Sequence, residues 1–186
     1  MEARLDELES REAIRKLVTQ YGHAIDLGDK NLMRQVFHED SKHNHSGVFE
    51  GKSWDLVNFG VDAILNFRTT MHFLSNIAID INGNSAVCES YALVYHEMGT
   101  DLPPPEFAQK FRAWSNEVWW VGLRYMDRLE RREGVWKIIE RIAVHDFEKI
   151  DPAAGRGFKK NVSDVPRIGP FGVRNNQRLE TINLDD

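Results

Sequence analysis

The stretch "MHFLSNIAIDINGNSAVCESYALVYHE", residues 71–97, decides the fold class. Ile77, Ile79 and Ile81 alternate with polar or small residues, the period of a strand with one buried face. The run reaches Asn82-Gly83, a dipeptide suited to a tight hairpin turn, and "SAVCESYALVYHE" returns. A second pair of runs, "NEVWWVGLRYMDRLERR" (116–132) and "VWKIIERIAVHDFEKI" (135–150), brackets Glu133-Gly134 in the same way.

Upstream the period changes. Ile14, Leu17, Val18, Tyr21 and Ile25 recur at three- and four-residue steps, with Ser10 as the expected N-cap and Gly28 as the stop. "KNLMRQVF" (30–37) reads as a short second helix and "KSWDLVNFGVDAILNFR" (52–68) as a third. Three helices before long strands imply an α+β fold, with the helices packed on one side of a strongly curved antiparallel or mixed sheet that closes a cone-shaped barrel. The space between helices and sheet is then a natural pocket. Residues 1–150 form one domain. Residues 151–186, rich in Gly, Pro, Asn and Arg, are expected to be a lid or a subunit-contact tail. Three prolines in "DLPPPEF" (101–107) make that segment a loop.

Composition narrows the function classes. A formal net charge of −5 over 186 residues argues against a nucleic-acid partner. One cysteine, Cys88, excludes an intrachain disulfide framework. The charged, periodic N-terminus is not a signal peptide, and no apolar run has the length of a membrane span. The expectation is a cytoplasmic domain without a membrane partner.

Three groups of residues carry chemistry. In "KHNHSGVFE" (42–50), His43 and His45 alternate and Glu50 follows, which matches half of a cupin-type metal motif. The other half is missing, so the sequence reading assigns no metal. It treats the segment as an edge strand with surface histidines, of which His45 lines the pocket. Asp26 and His72 are 46 residues apart, and spacing alone does not pair them. If the fold does, a carboxylate on one imidazole nitrogen makes the other a competent base. Arg141, Ala143 and His145 share one face of the last strand, while Trp119, Val121, Leu123, Tyr125 and Asp127 share one face of its neighbour. Packing in the core and an aromatic wall against a flat ligand are both consistent with Trp119.

The segments 11–40, 69–87 and 124–147 together resemble the SnoaL-like branch of the nuclear transport factor 2-like superfamily, a cystatin-like fold. The resemblance is carried by Tyr21-x4-Asp26-x-Gly28-Asp29, His72-Phe73-x-x-Asn76, Tyr125-x-Asp127 and Gly134-x-Trp136, in that order. It implies a deep apolar cavity and the catalytic residues His72, Asp26, Tyr21 and Arg141, because relatives such as hexachlorocyclohexane dehydrochlorinase and bile-acid 7α-dehydratase keep an Asp–His dyad at the matching places. It implies substrate contacts from Tyr125, His145 and Asp127, to which the strand patterns add Trp119 and His45. The expected activity is a cofactor-independent lyase: a dehydratase or related elimination, halide- or formaldehyde-releasing chemistry included, on a small hydrophobic cyclic or aromatic substrate. An isomerase or cyclase using the same base, or a non-catalytic binding module, is the alternative. A homo-oligomer is expected, a trimer ahead of a dimer.

Overall fold

The structure, a computed structural model, describes residues 1–65, 67–98, 117–152, 167–168 and 181–182. Helix α1 (Glu2–Leu27) is followed by α2 (Lys30–Val36), strands β1 (Phe37–His45) and β2 (Phe49–Lys52), helix α3 (Ser53–Ile64), and strands β3 (Phe67–Asn82), β4 (Ser85–Met98), β5 (Glu117–Arg132) and β6 (Val135–Pro152). Two short strands, β7 (Arg167–Ile168) and β8 (Thr181–Ile182), pair in parallel. The lid or contact role expected of residues 151–186 falls mostly outside the described residues, as does the "DLPPPEF" loop. Among the described residues no helix is long and apolar enough to cross a membrane.

Helix α1 begins eight residues before Ser10, so that serine is a buried interior residue and not a cap. Arg11 binds Glu7, and Arg131 reaches across to Asp6, which extends the helix past its apolar stripe. The stripe Ile14, Leu17, Val18, Tyr21 and Ile25 is buried as its period requires. Gly28 ends the helix at φ 70°, and Asp29 caps α2 by accepting from the Leu32 amide at 2.9 Å.

The strands form one six-stranded sheet in the order β2-β1-β6-β5-β4-β3. All neighbours are antiparallel except β1 and β6, which run parallel. This corrects the expectation of a strongly curved, closed barrel: the sheet is open, with β2 and β3 as two separate edges that do not pair. Helices do the covering instead, α1 against β3 and α3 against β1. It also corrects the order of elements, since β1 and β2 interrupt the run of three helices, and β1 is an inner strand.

The two long hairpins use the two turn types that match strand twist. Arg132 pairs with Val135, leaving Glu133 and Gly134 as the loop with φ of 52° and 80°, the doubly positive type. In the other hairpin Asn82 pairs with Ser85, so the loop is Gly83-Asn84, one residue beyond the expected dipeptide, and only Gly83 has positive φ.

Both hairpins are also interrupted. In β3 the register slips between Ser75↔Tyr91 and Ala78↔Glu89, with Asn76 in the left-handed region at φ 49°. In β6 it slips where Leu123 faces His145 but Gly122 faces Phe147. A bulge adds one residue to one strand and reverses which side chains beyond it face the core.

Candidate functional site

A cavity lies between the helices and the inner face of the sheet. Tyr21 and Ile25 of α1, Leu56 and Phe59 of α3, and Val94, Val121 and Leu123 of the central strands are part of its apolar lining. Six of the nine residues predicted from sequence line it: Tyr21, His45, His72, Trp119, Tyr125 and His145. Asp26, Arg141 and Asp127 stand behind them: Asp26 is bonded to His72, and Arg141 and Asp127 are bonded to each other.

The β3 bulge is what brings His72 in. Ile77, Ile79 and Ile81 pack toward the core, so strict alternation would send His72 outward. The extra residue turns His72 and Leu74 inward, and Met71 and Phe73 outward. Gly22 lets α1 approach closely, since a Cβ there would lie 3.2 Å from Leu74 Cδ1 and 3.5 Å from His72 Cβ. Asp26, in the last turn of α1, then meets His72 with both oxygens. The ring Nδ1–H donates to Oδ1 at 2.6 Å, and the backbone N–H donates to Oδ2 at 2.8 Å. A carboxylate can only accept, so Nδ1 carries a proton, and in the neutral ring Nε2 then holds the lone pair. A carboxylate at a helix C-terminus opposes the helix dipole; the two donors of His72 offset that cost.

Arg141 is fully buried and held by Asp127 in a two-pronged pair, Nε–Oδ1 and Nη2–Oδ2 both 2.7 Å. Its guanidinium carbon lies 4.0 Å from the Tyr21 ring centroid and 4.2 Å from that of Tyr125. Burial opposes the Arg141 charge, but Asp127 outweighs it and raises the pKa. Nη1 is buried without a hydrogen-bond partner among the described residues. Burial, and next the neighbouring Tyr21, pushes the Tyr125 hydroxyl well above its ordinary pKa.

A histidine cluster lies where β1 pairs with β6. His43 is buried and stacks on His45, with rings 5.5 Å apart and Nε2 to Nδ1 at 3.3 Å. His45 stands edge-on to His145 at 5.3 Å. Burial, then His145, Arg141 and His72, lowers the His45 pKa to about 3, so it is neutral at ordinary pH. His43 and His45 therefore belong to the interior, which corrects the surface-strand expectation. The His43–His45–Glu50 set does not converge either. Glu50 pairs with Asn44, so its side chain leaves the strand pair on the face opposite the histidines.

Two contributors escaped the sequence reading. His96 lines the cavity, its Nδ1 2.8 Å from Thr70 Oγ1 and its ring 5.7 Å from that of His72. Glu148 binds His145 Nδ1 at 2.8 Å. Each depends on a bulge that periodicity does not show.

Comparison with known proteins places this geometry in context. A family model described as "SnoaL-like domain" matches residues 6–142. An uncharacterised protein of Mycobacterium tuberculosis, Rv2910c, is 24% identical over 146 residues, 77% of this chain and 90% of its own length. Among solved structures, LinA is similar at a TM-score of 0.67 and 21% identity, covering 85% of this chain and 99% of its own. Hexachlorocyclohexane dehydrochlorinase LinA-type3 from Novosphingobium barchaimii is similar at 0.65 and 20%, covering 85% and 99%. At such identities these structures share the fold.

Proposed function

We propose a lyase activity from one premise: the chain belongs to the SnoaL-like domain family. The observation that carries the reading is the His72–Asp26 pair, bonded at 2.6 Å, with His72 on the wall of an apolar cavity. His72 Nε2 takes a proton from a carbon next to a leaving group. The C–H electron pair becomes the new C=C bond, and the leaving group departs with its own pair. Asp26 holds the ring and stabilises the imidazolium that forms. Tyr21, stacked on Arg141, faces the negative charge that develops. Arg141 contributes positive potential from behind the wall in a setting of low dielectric, where it counts for more than in water. Asp127 keeps Arg141 in place. Trp119 and Tyr125 supply flat apolar surface, and His45 and His145 polar contacts, for a small hydrophobic cyclic or aromatic substrate.

This chemistry is redox-neutral and runs on side chains alone, so the reading includes no cofactor. The similarity to dehydrochlorinase structures supports elimination, because a dehydrochlorinase removes a proton and a halide. The same reading includes a homo-oligomer, a trimer ahead of a dimer. Phe73, Leu93 and Met126, exposed on the sheet face away from the helices, support it, and sedimentation equilibrium tests it.

The test of the activity is turnover of ring ketones that carry a hydroxyl or a halide β to the carbonyl, followed by product mass. Loss of water or hydrogen halide identifies a lyase, and unchanged mass identifies an isomerase. H72A and D26N are each expected to lower kcat by about 10²–10⁴-fold, the usual contribution of a positioned base. Wild-type turnover in H72A would remove His72 from the mechanism.

A further inference from the structure

We infer that His145 and Glu148 form a second acid–base pair at the cavity, three strands across the sheet from His72, one that protonates an oxygen leaving group, so the substrate loses a hydroxyl and not a halide. The inference rests on the lyase reading above and deepens it by naming the leaving group.

Elimination at a ring carbon needs a base for the proton and, when hydroxide is the leaving group, an acid for the oxygen. Hydroxide leaves poorly without a proton, whereas chloride needs none. Arg141 donates its Nε–H and one Nη2–H to Asp127 and lies behind the wall. His145 is the side chain placed for the task. It lines the cavity, Glu148 Oε1 occupies its Nδ1 at 2.8 Å, and its Nε2 is buried with no hydrogen-bond partner among the described residues.

The backbone has been rearranged to make this pair. His145 and Glu148 are three residues apart, and on a regular strand they would point to opposite faces. The β6 bulge at Asp146 shifts the count by one, so His145 stands opposite Leu123 and Glu148 opposite Val121, both on the inner face. Phe147 then lies across Gly122 on the outer face. A Cβ on Gly122 would fall well inside van der Waals contact with the Phe147 ring, so that position has no room for one.

The placement relative to His72 also fits. His72, Val94, Val121 and Glu148 form one row across β3, β4, β5 and β6. Three strand spacings put the two ends of that row about 14 Å apart at the backbone. Both imidazoles project from the inner face of the sheet and line the same cavity, with Val94, Val121 and Leu123 on the strands between them. Glu148 is bonded to His145, and Asp146 beside it is shared with Arg124. The nearest imidazole, His45, is neutral.

In the balanced step, His72 Nε2 accepts the carbon-bound proton and the C–H pair becomes the C=C bond. The C–O bond breaks with its pair going to oxygen, and His145 Nε2–H protonates that oxygen to give water. Nothing is oxidised or reduced. His72 ends with one extra proton and His145 with one fewer, and exchange with water resets both.

The test uses matched one-ring and two-ring ketones carrying hydroxyl or chloride at the β carbon, with the full chain and its H145F, E148Q and H72A variants. H145F is expected to lower the ratio of hydroxyl to chloride turnover by about 10²-fold or more. E148Q, a change of the positioning residue, lowers the same ratio less, through kcat with KM held. Equal losses on both substrates in H145F and E148Q would overturn the proposal and make His145 a wall residue. Wild-type turnover of the chloride alone would overturn it too. If H72A keeps turnover, or if the wild type acts on neither member of any pair, the lyase reading itself fails, a result distinguishable from the loss of the acid. Should H145F not fold, the half-exposed E148Q carries the test.

Discussion

Arg141 and Asp127 show how a charge pair can serve a site without lining it. Both side chains are fully buried, and the guanidinium lies between Tyr21 and Tyr125. Removing one partner leaves the other charge in a low dielectric, at a cost of about 3–5 kcal/mol. D127N is therefore expected to lower the urea-unfolding free energy by that amount, while R141M/D127L recovers most of it. A double mutant as unstable as D127N would mean that the packing between the tyrosines, not the pairing, holds the region. The sequence showed both residues facing inward on neighbouring strands, and the resemblance implied a catalytic role for Arg141. That Arg141 sits one layer behind the cavity depends on the register Asp127↔Arg141, which no single strand's pattern contains. Asp26 and His72 were likewise visible as residues. Their pairing required the close approach of α1 and β3 that Gly22 permits.

Bulges are where element-level reading broke down. Counting back from the turn, with Asn82 opposite Ser85, places His96 opposite Met71. The slip at Asn76 moves it opposite Thr70, where the two side chains bond. The same slip turns His72 toward the cavity. Helix stripes, both hairpins and the α+β class were legible because each is local and periodic. The parallel β1–β6 pairing and the open sheet were not, because they join segments far apart in sequence. Asn76 carries the geometry: at φ 49° an asparagine is tolerated, but a β-branched residue is strained by about 1–2 kcal/mol. N76V is expected to be destabilised by that amount and to lose activity beyond what the stability change accounts for, whereas N76G retains both. Thermal melts and kcat measured side by side check this. An N76V protein with wild-type activity would show that His72 is oriented without the bulge.

At the scale of the whole molecule, the buried histidines tie stability to pH. His45 has a folded pKa of about 3, and burial takes His43 well below its ordinary value. In the unfolded chain both titrate near 6.5. Between those limits the unfolded state binds more protons than the folded one, so unfolding free energy falls as pH falls. The contribution is complete above about pH 6.5 and is lost progressively toward pH 3. The surface carboxylates Asp6, Asp40 and Asp146 are lowered by hydrogen bonds from Arg131, Arg132 and Arg124. Their share is lost only below about pH 4, which leaves a separate window from 6.5 to 4.5. Across that window the wild type is expected to lose stability more steeply than H45Q. The difference in slope is at most about 1.4 kcal/mol per pH unit, the value for one proton. Urea titrations at pH 7, 6, 5 and 4.5 measure it. Identical slopes would mean that His45 takes up its proton in the folded protein, through water in the cavity.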